Sequence, residues 1–240
     1  MAKICRFNPL LELLRSQPGR VQKIFLQRGK RQDRFFEVIQ KAQASRIPLV
    51  YVPKTKIDSM ARNHQGFVAL VMEKSFSPVE EMLEGRKRPL LLLLDGIEDP
   101  QNLGAIIRTA EGAGVDGILL PERRSAGISE TVARVSAGAL AHVRIGRIKN
   151  VVQTLTSLKD RGLWVVGAEG GTGKNWDTFD YTVPLVLVLG SEGKGLRPLV
   201  RENCDQVLSI PLFGQINSLN VGAAAAIFLY EIIRQRLNIE

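Results

Sequence analysis

Beyond residue 89 the apolar positions gather into five short, nearly continuous runs, at residues 90–94, 117–120, 163–166, 184–189 and 207–210. Runs of this length without polar alternation suit strands covered on both faces of a parallel sheet. The stretches between them, residues 103–113, 129–140, 151–161 and 196–203, read as helices, as does a long final one at 219–237. The alternation predicts an α/β unit with helices on both faces of a parallel sheet. Ahead of it, strand candidates rich in β-branched residues at 21–26, 48–52 and 66–72 alternate with helical segments. The first helix is expected to open at Asn8 and Pro9, as N-cap and first helical residue, ahead of residues 10–14. The division predicts a small α/β domain over residues 1–75, a linker over 76–89 within a polar stretch that starts at Glu73, and a larger domain over 90–240.

Charge adds a functional clue. The 240 residues carry a formal charge of +9. Through Pro89, eighteen Lys or Arg face eight Asp or Glu, whereas beyond it fifteen face sixteen. A cluster such as Arg28, Lys30, Arg31 and Arg34 is by itself a common solvated face. An excess spread over a whole domain is what polyanion binding rewards. No apolar run reaches the ~18 residues of a membrane span, and the first nineteen residues lack a secretory pattern, so a soluble cytoplasmic protein is expected. Cys5 and Cys204 lie far apart without neighbouring histidines, which predicts neither a disulfide framework nor a metal site. His64 and His142 stand alone and are assigned no chemistry.

Two glycine patterns fail on context. Gly112, Gly114 and Gly117 have dinucleotide-loop spacing but follow a helix and precede a strand, the reverse of what that site needs. Around Gly173 and Lys174 the phosphate-loop pattern has Ala168 at its first glycine position and Asn175 in place of the magnesium-binding hydroxyl. Three other segments place polar residues at the carboxyl ends of expected strands, where parallel sheets bind ligands. They are Leu94-Asp95-Gly96-Ile97-Glu98-Asp99-Pro100-Gln101-Asn102 continuing to Arg108-Thr109-Ala110, then Leu189-Gly190-Ser191-Glu192-Gly193-Lys194-Gly195, then Ser209-Ile210-Pro211 with Asn217-Ser218-Leu219-Asn220.

Together these segments resemble the three signature motifs of the SpoU (TrmH-like) family of RNA ribose methyltransferases, within the knotted SPOUT superfamily, over residues 90–236. Residues 63–69 resemble part of the small L30e-like substrate-binding domain that precedes the catalytic domain in many members. Arg124-Ser125-Ala126 and residues 133–139 resemble the bacterial enzymes that methylate a guanosine of 23S rRNA. The resemblance implies a parallel-sheet SPOUT domain with a C-terminal trefoil knot, a homodimer, and transfer of a methyl group from S-adenosyl-L-methionine to a ribose 2′-hydroxyl of structured RNA. It implies catalytic roles for Asn102, Arg108, Glu192, Ser218 and Asn220, with Arg108 acting on the ribose hydroxyl. It places the cofactor at Gly190, Ile210 and Leu219, and Gly167 and Ala168 are expected to complete that pocket. Asn102, Ser218 and Asn220 also read as plain capping or turn residues, and Glu192 as a partner of Arg108 or a fixer of its own loop. Enzymes acting on tRNA, a drug-resistance relative acting on another rRNA nucleotide, and a non-catalytic RNA-binding assembly factor are the alternatives.

Overall fold

The computed structural model describes residues 2–29, 35–72, 75–216 and 218–237. Lys30, Arg31, Arg34, Glu73 and Asn217, used in the sequence reading, lie outside the described residues. Among the described residues the elements run β1 (Ala2–Ile4), α1 (Phe7–Ser16), β2 (Val21–Gln27), α2 (Phe36–Ala44), β3 (Leu49–Val52), α3 (Lys54–Met60), β4 (Phe67–Val71), α4 (Val79–Leu83), β5 (Leu90–Asp95), α5 (Pro100–Gly112), β6 (Gly117–Pro121), α6 (Glu130–Val135), β7 (Ile145–Ile148), α7 (Val151–Asp160), β8 (Trp164–Ala168), β9 (Leu185–Gly190), α8 (Pro198–Glu202), β10 (Gln206–Leu208) and α9 (Val221–Leu237). They divide into two compact units, Met1–Lys74 with Ile128–His142, and Ser75–Gly127 with Val143–Glu240.

The first unit is built on a sheet of order β1-β4-β2-β3, in which β2 and β3 are parallel and β4 is antiparallel to both neighbours. Leu10, Leu13 and Leu14 of α1 and Val38 and Ala42 of α2 share one core with Ile24 and Phe67 of the sheet. The first helix opens earlier than its sequence suggests, at Phe7, with Arg6 as N-cap. Its first N–H donates to Gln65 Oε1 at 2.9 Å, and Pro9 lies in the first turn, where a missing N–H costs nothing. Strand β1, three residues long, was too short to carry a pattern and exists through its pairing with β4. His64 accepts from the Gly66 N–H at Nδ1 (3.1 Å), which leaves Nε2 facing Asp58 at 2.7 Å.

The unit also takes in residues 128–142, an excursion that no composition shift marks. The single helix expected over 129–140 is interrupted. It stops after Val135, turns through the left-handed Ala137 and Gly138 (φ 51° and 106°), and resumes as one 3₁₀ turn at Ala139–Ala141. A Cβ on Gly138 would sit 3.1 Å from Glu12, which makes the glycine the point of close approach to α1. Cys5 donates to Glu130 at 3.2 Å, and burial, then that carboxylate, push its thiol up to about 11.

The second unit holds a fully parallel six-stranded sheet of order β10-β8-β9-β5-β6-β7. Every residue of the central strands β5 and β9 is buried, which is why their sequences do not alternate. Strand β7 was missed because Gly146 and Arg147 interrupt its apolar run. A Cβ there would approach Leu119, Met82 and the Ser77 carbonyl to 3.0–3.1 Å, so the glycine eases tight packing. Part of the stretch expected as linker is helix α4, whose Met82 is fully buried against Gly117 and Gly146. Near its C-terminus, α9 is tied down by Arg236, which donates to the carbonyls of Arg88, Tyr181 and Val183 at 2.8–3.0 Å. Gln235 bridges Phe179 and Tyr181 from the same turn.

Because Met82 fills the space left by two glycines, Met82→Ala should open a cavity and cost about 2–5 kcal/mol. Urea denaturation checks this, and a loss below ~1 kcal/mol would mean that α4 is a surface attachment.

Candidate active site

The carboxyl ends of β8, β9 and β10 lie side by side, and the segments leaving them join the start of α9 around a cavity of about 320 Å³. This is the position at which parallel sheets bind ligands, and the volume lies at the small end of the ~300–1,000 Å³ usual for small-molecule pockets. Residues 168–170, 189–195 and 218–219 contribute backbone and polar groups, while Ile210, Leu212, Val221 and Phe228 supply an apolar wall. Of the residues expected to hold a cofactor, Ala168, Gly190, Ile210 and Leu219 line this cavity. Gly167 does not; a Cβ there would lie 2.6 Å from Leu196 and 2.9 Å from Cys204 Sγ, so it is a glycine for packing beneath α8.

Gly190 is indispensable for a reason the sequence did not reveal. A Cβ at this position would fall 2.2 Å from the Gly195 carbonyl carbon and 2.5 Å from the Leu196 nitrogen. The segment after β9 folds back on the strand end, with Ser191 and Gly195 exchanging backbone hydrogen bonds at 3.0 and 3.1 Å. Left-handed Gly193 and Gly195 (φ 77° and 64°) close this turn. The missing side chain therefore makes room for the protein's own backbone, and the turn so formed presents Glu192 and Lys194 at the cavity.

Glu192 is the hub of the polar residues. Asn220 caps α9, its Oδ1 accepting from the Gly222 and Ala223 N–H groups at 2.9 and 3.3 Å. The cap fixes the amide orientation, so Asn220 Nδ2 must point the other way. There it donates to Glu192 Oε1 at 2.9 Å and to Asn102 Oδ1 at 3.0 Å. Asn102 Nδ2 completes the triangle by donating to the same Glu192 oxygen at 2.8 Å. Asn102 itself is buried in the first turn of α5, where the Asp99 side chain caps the helix through the Gln101 N–H. Hydrogen bonds to an ionised acceptor are the stronger kind, worth roughly 1.5–3 kcal/mol each. Three motif residues are thus brought together.

Ser218 lines the cavity. Arg108 is exposed on α5 and has no hydrogen-bond or ion-pair partner among the described residues. It does not pair with Glu192, whose Oε1 is occupied by the two amides.

Two ion pairs that sequence reasoning missed hold the site's frame. Arg197, directly after the Glu192 turn, grips the buried Asp95 at the end of β5, with Nε at 2.9 and 3.0 Å from its two oxygens and a terminal nitrogen at 2.6 Å. Hydrogen bonding to this carboxylate holds the guanidinium above its ordinary value. Removing Arg197 would strand a buried charge, a loss of the order of 3–5 kcal/mol. Arg201 likewise holds Glu169 at the cavity wall, at 2.7 Å. A bare Asp or Arg carries no pairing signal in sequence, although Asp95 sits at a strand end within the first motif. Burial pushes the Cys204 thiol up to about 12, which removes it as a thiolate nucleophile. No cluster of three metal-binding side chains occurs among the described residues.

The chain matches two family models, the SpoU rRNA Methylase family over residues 89–230 and the RNA 2′-O ribose methyltransferase substrate-binding family over residues 4–77. It is 38% identical over 234 residues to a TrmH family tRNA/rRNA methyltransferase from Bacillus subtilis, covering 95% of this chain and 94% of the relative. Among solved structures it is similar to the AdoMet-bound rRNA methyltransferase from Sinorhizobium meliloti (TM-score 0.80, 25% identity, 97% of this chain and 87% of that one). It shares the fold of the SpoU methyltransferase AviRb from Streptomyces viridochromogenes in complex with AdoMet (TM-score 0.84, 23% identity, 98% and 90%).

Gly190→Ala should keep the sheet but displace the 191–195 turn, so that ligand binding at the cavity falls by at least tenfold while the far-ultraviolet circular dichroism stays native. Calorimetric titration with S-adenosylmethionine reads this; unchanged affinity would show that the turn tolerates the added carbon.

Proposed function

This chain belongs to the SpoU family of S-adenosylmethionine-dependent RNA methyltransferases, and from that premise we propose that it methylates a ribose 2′-hydroxyl, on a guanosine of 23S rRNA. The observation that carries the reading is the meeting of Asn102, Glu192 and Asn220 from three separate segments at the rim of one cavity. The cavity suits the donor: backbone groups and an apolar wall for the adenosine, with the Glu169 and Glu192 carboxylates nearby for a positively charged ligand.

The bound donor supplies an electrophilic methyl on a sulfonium, a leaving group that needs no acid. What remains for the protein is to position and polarise the acceptor. Backbone at Gly190, Ile210 and Leu219 fixes the donor, with Ala168 beside it. Asn102, Ser218 and Asn220, with Glu192 as their anchor, orient the target ribose. An arginine stays protonated below about pH 12, so Arg108 is no general base. Its fork holds the phosphate next to the target and stabilises the developing alkoxide, while a phosphate oxygen or water takes the proton. Its exposure and free guanidinium fit a partner that arrives with the substrate.

The first unit, basic and similar to a substrate-binding domain, is the part that favours rRNA over tRNA. A homodimer joined through the catalytic unit accounts for exposed apolar side chains there, among them Phe213 (96% exposed) and Ile216. The C-terminal knot belongs to the same reading. No helix among the described residues is long and apolar enough to cross a membrane, and the cytoplasm is the proposed location.

Tritiated methyl transfer from S-adenosylmethionine to rRNA lacking ribose methylation tests the proposal. Label is expected at one 23S ribose, lost at least a hundredfold in Arg108→Ala and nearly as much in Arg108→Lys. Label on tRNA alone would replace the substrate, and near-normal turnover by Arg108→Lys would rule out the bidentate clamp.

A further inference from the structure

The cations of the second unit differ in whether they have partners. Arg86, Lys159, Arg161, Arg197, Arg201 and Arg234 each pair with a carboxylate. Arg123, Arg124 and Lys149 are exposed and have no hydrogen-bond or ion-pair partner among the described residues. Pairing alone does not select them, because Lys87 and Arg144, nearer the amino ends of the strands, are also without one. Position does. Arg123 and Arg124 lie two and three residues beyond β6, and Lys149 directly follows β7, so the three sit at the carboxyl ends of neighbouring parallel strands, the edge of the sheet at which the cavity also opens.

Three further observations make this a built surface. Arg124 is left-handed (φ 57°), a conformation unfavourable for a residue with a Cβ, of the kind that persists where surrounding structure imposes it. Two residues on, the Ala126 N–H donates to the Ile97 carbonyl at 2.8 Å, stapling the basic loop to the one that leads into Asn102. Beneath it, Arg147 reaches the Glu122 carbonyl at 3.4 Å and lies 5.0 Å over the Phe76 ring, with its Nε buried and unpartnered. Arg147 adds a fourth positive charge that no carboxylate neutralises. Glu122, within the same loop, is exposed and pairs with none of them among the described residues.

We propose that the loops after β6 and β7 form an RNA backbone track, in which Arg123, Arg124 and Lys149 hold phosphates on the strand that enters the catalytic site. The assignment rests on the reading of the chain as an RNA methyltransferase and adds a substrate contact outside the first unit. Phosphate contacts carry no sequence information, so the track positions the substrate while specificity lies elsewhere. Arg147 is a positioning residue, raising the local potential from below.

The test is binding of unmodified 23S rRNA by the full chain, measured by filter retention across a salt series and independently of methyl transfer. For Arg123→Ala/Arg124→Ala/Lys149→Ala, Kd is expected to rise on the order of tenfold or more. The slope of log K against log salt should shrink by roughly 2, as ~0.7–0.9 per lost phosphate contact implies. Affinity for S-adenosylmethionine should stay within twofold. Arg124→Gly separates function from folding: glycine relieves the left-handed strain, so the melting temperature should hold or rise while rRNA binding weakens. Unchanged rRNA affinity and salt slope in the triple variant would overturn the track. If native protein binds rRNA with this dependence but transfers no methyl group, the track stands and the catalytic reading fails.

Discussion

One carboxylate oxygen joins three segments that are distant in the chain. Glu192 Oε1 accepts from Asn102 at the start of α5 and from Asn220 at the start of α9, and the two amides bond each other. This triangle fixes the three side chains against one another. The helix cap sets the Asn220 amide, the amide sets Glu192, and Glu192 sets the turn that walls the cavity. The turn in turn exists because position 190 lacks a Cβ and because Arg197 is anchored on the buried Asp95. Catalysis by positioning needs such over-determination, since a fixed polar frame costs little reorganisation when charge develops.

Charge is divided between the two units according to task. The first carries the general excess of Lys and Arg, a sequence-independent attraction for a polyanion. In the second, positive and negative residues nearly balance and many cations are committed to structural pairs. A free guanidinium or ammonium at the sheet edge where the cavity opens is therefore informative in a way that a lysine on the first unit is not.

Much of the second unit was legible because its central strands are covered on both faces, which forces the continuous apolar runs of β5 and β9. Elements whose existence depends on tertiary contact were not. Strand β7, with Gly146 and Arg147 in its middle, is seen through its pairing with β6, and β1 through its pairing with β4. The return of residues 128–142 to the first unit is held by contacts far apart in the chain, such as Cys5 with Glu130 and His142 with Glu12, invisible in any periodic pattern. At the site, the motifs identified Asn102, Glu192 and Asn220, and the structure brings these together. Gly167, expected at the pocket from its place after the strand at 163–166, does not line the cavity, and the motifs gave Gly190 a role toward the ligand when its first duty is to the chain's own backbone. Asp95 and Arg197 went unassigned because a pair separated by a hundred residues leaves no local trace.

The most direct measurement is a crystal structure of the full chain soaked with S-adenosylhomocysteine, the demethylated form of the donor. The account predicts the product seated among residues 190–195, Ile210 and Leu219, with Glu192 still bound by Asn102 and Asn220. A product bound elsewhere, or a Glu192 released from both amides once the cavity is filled, would contradict it.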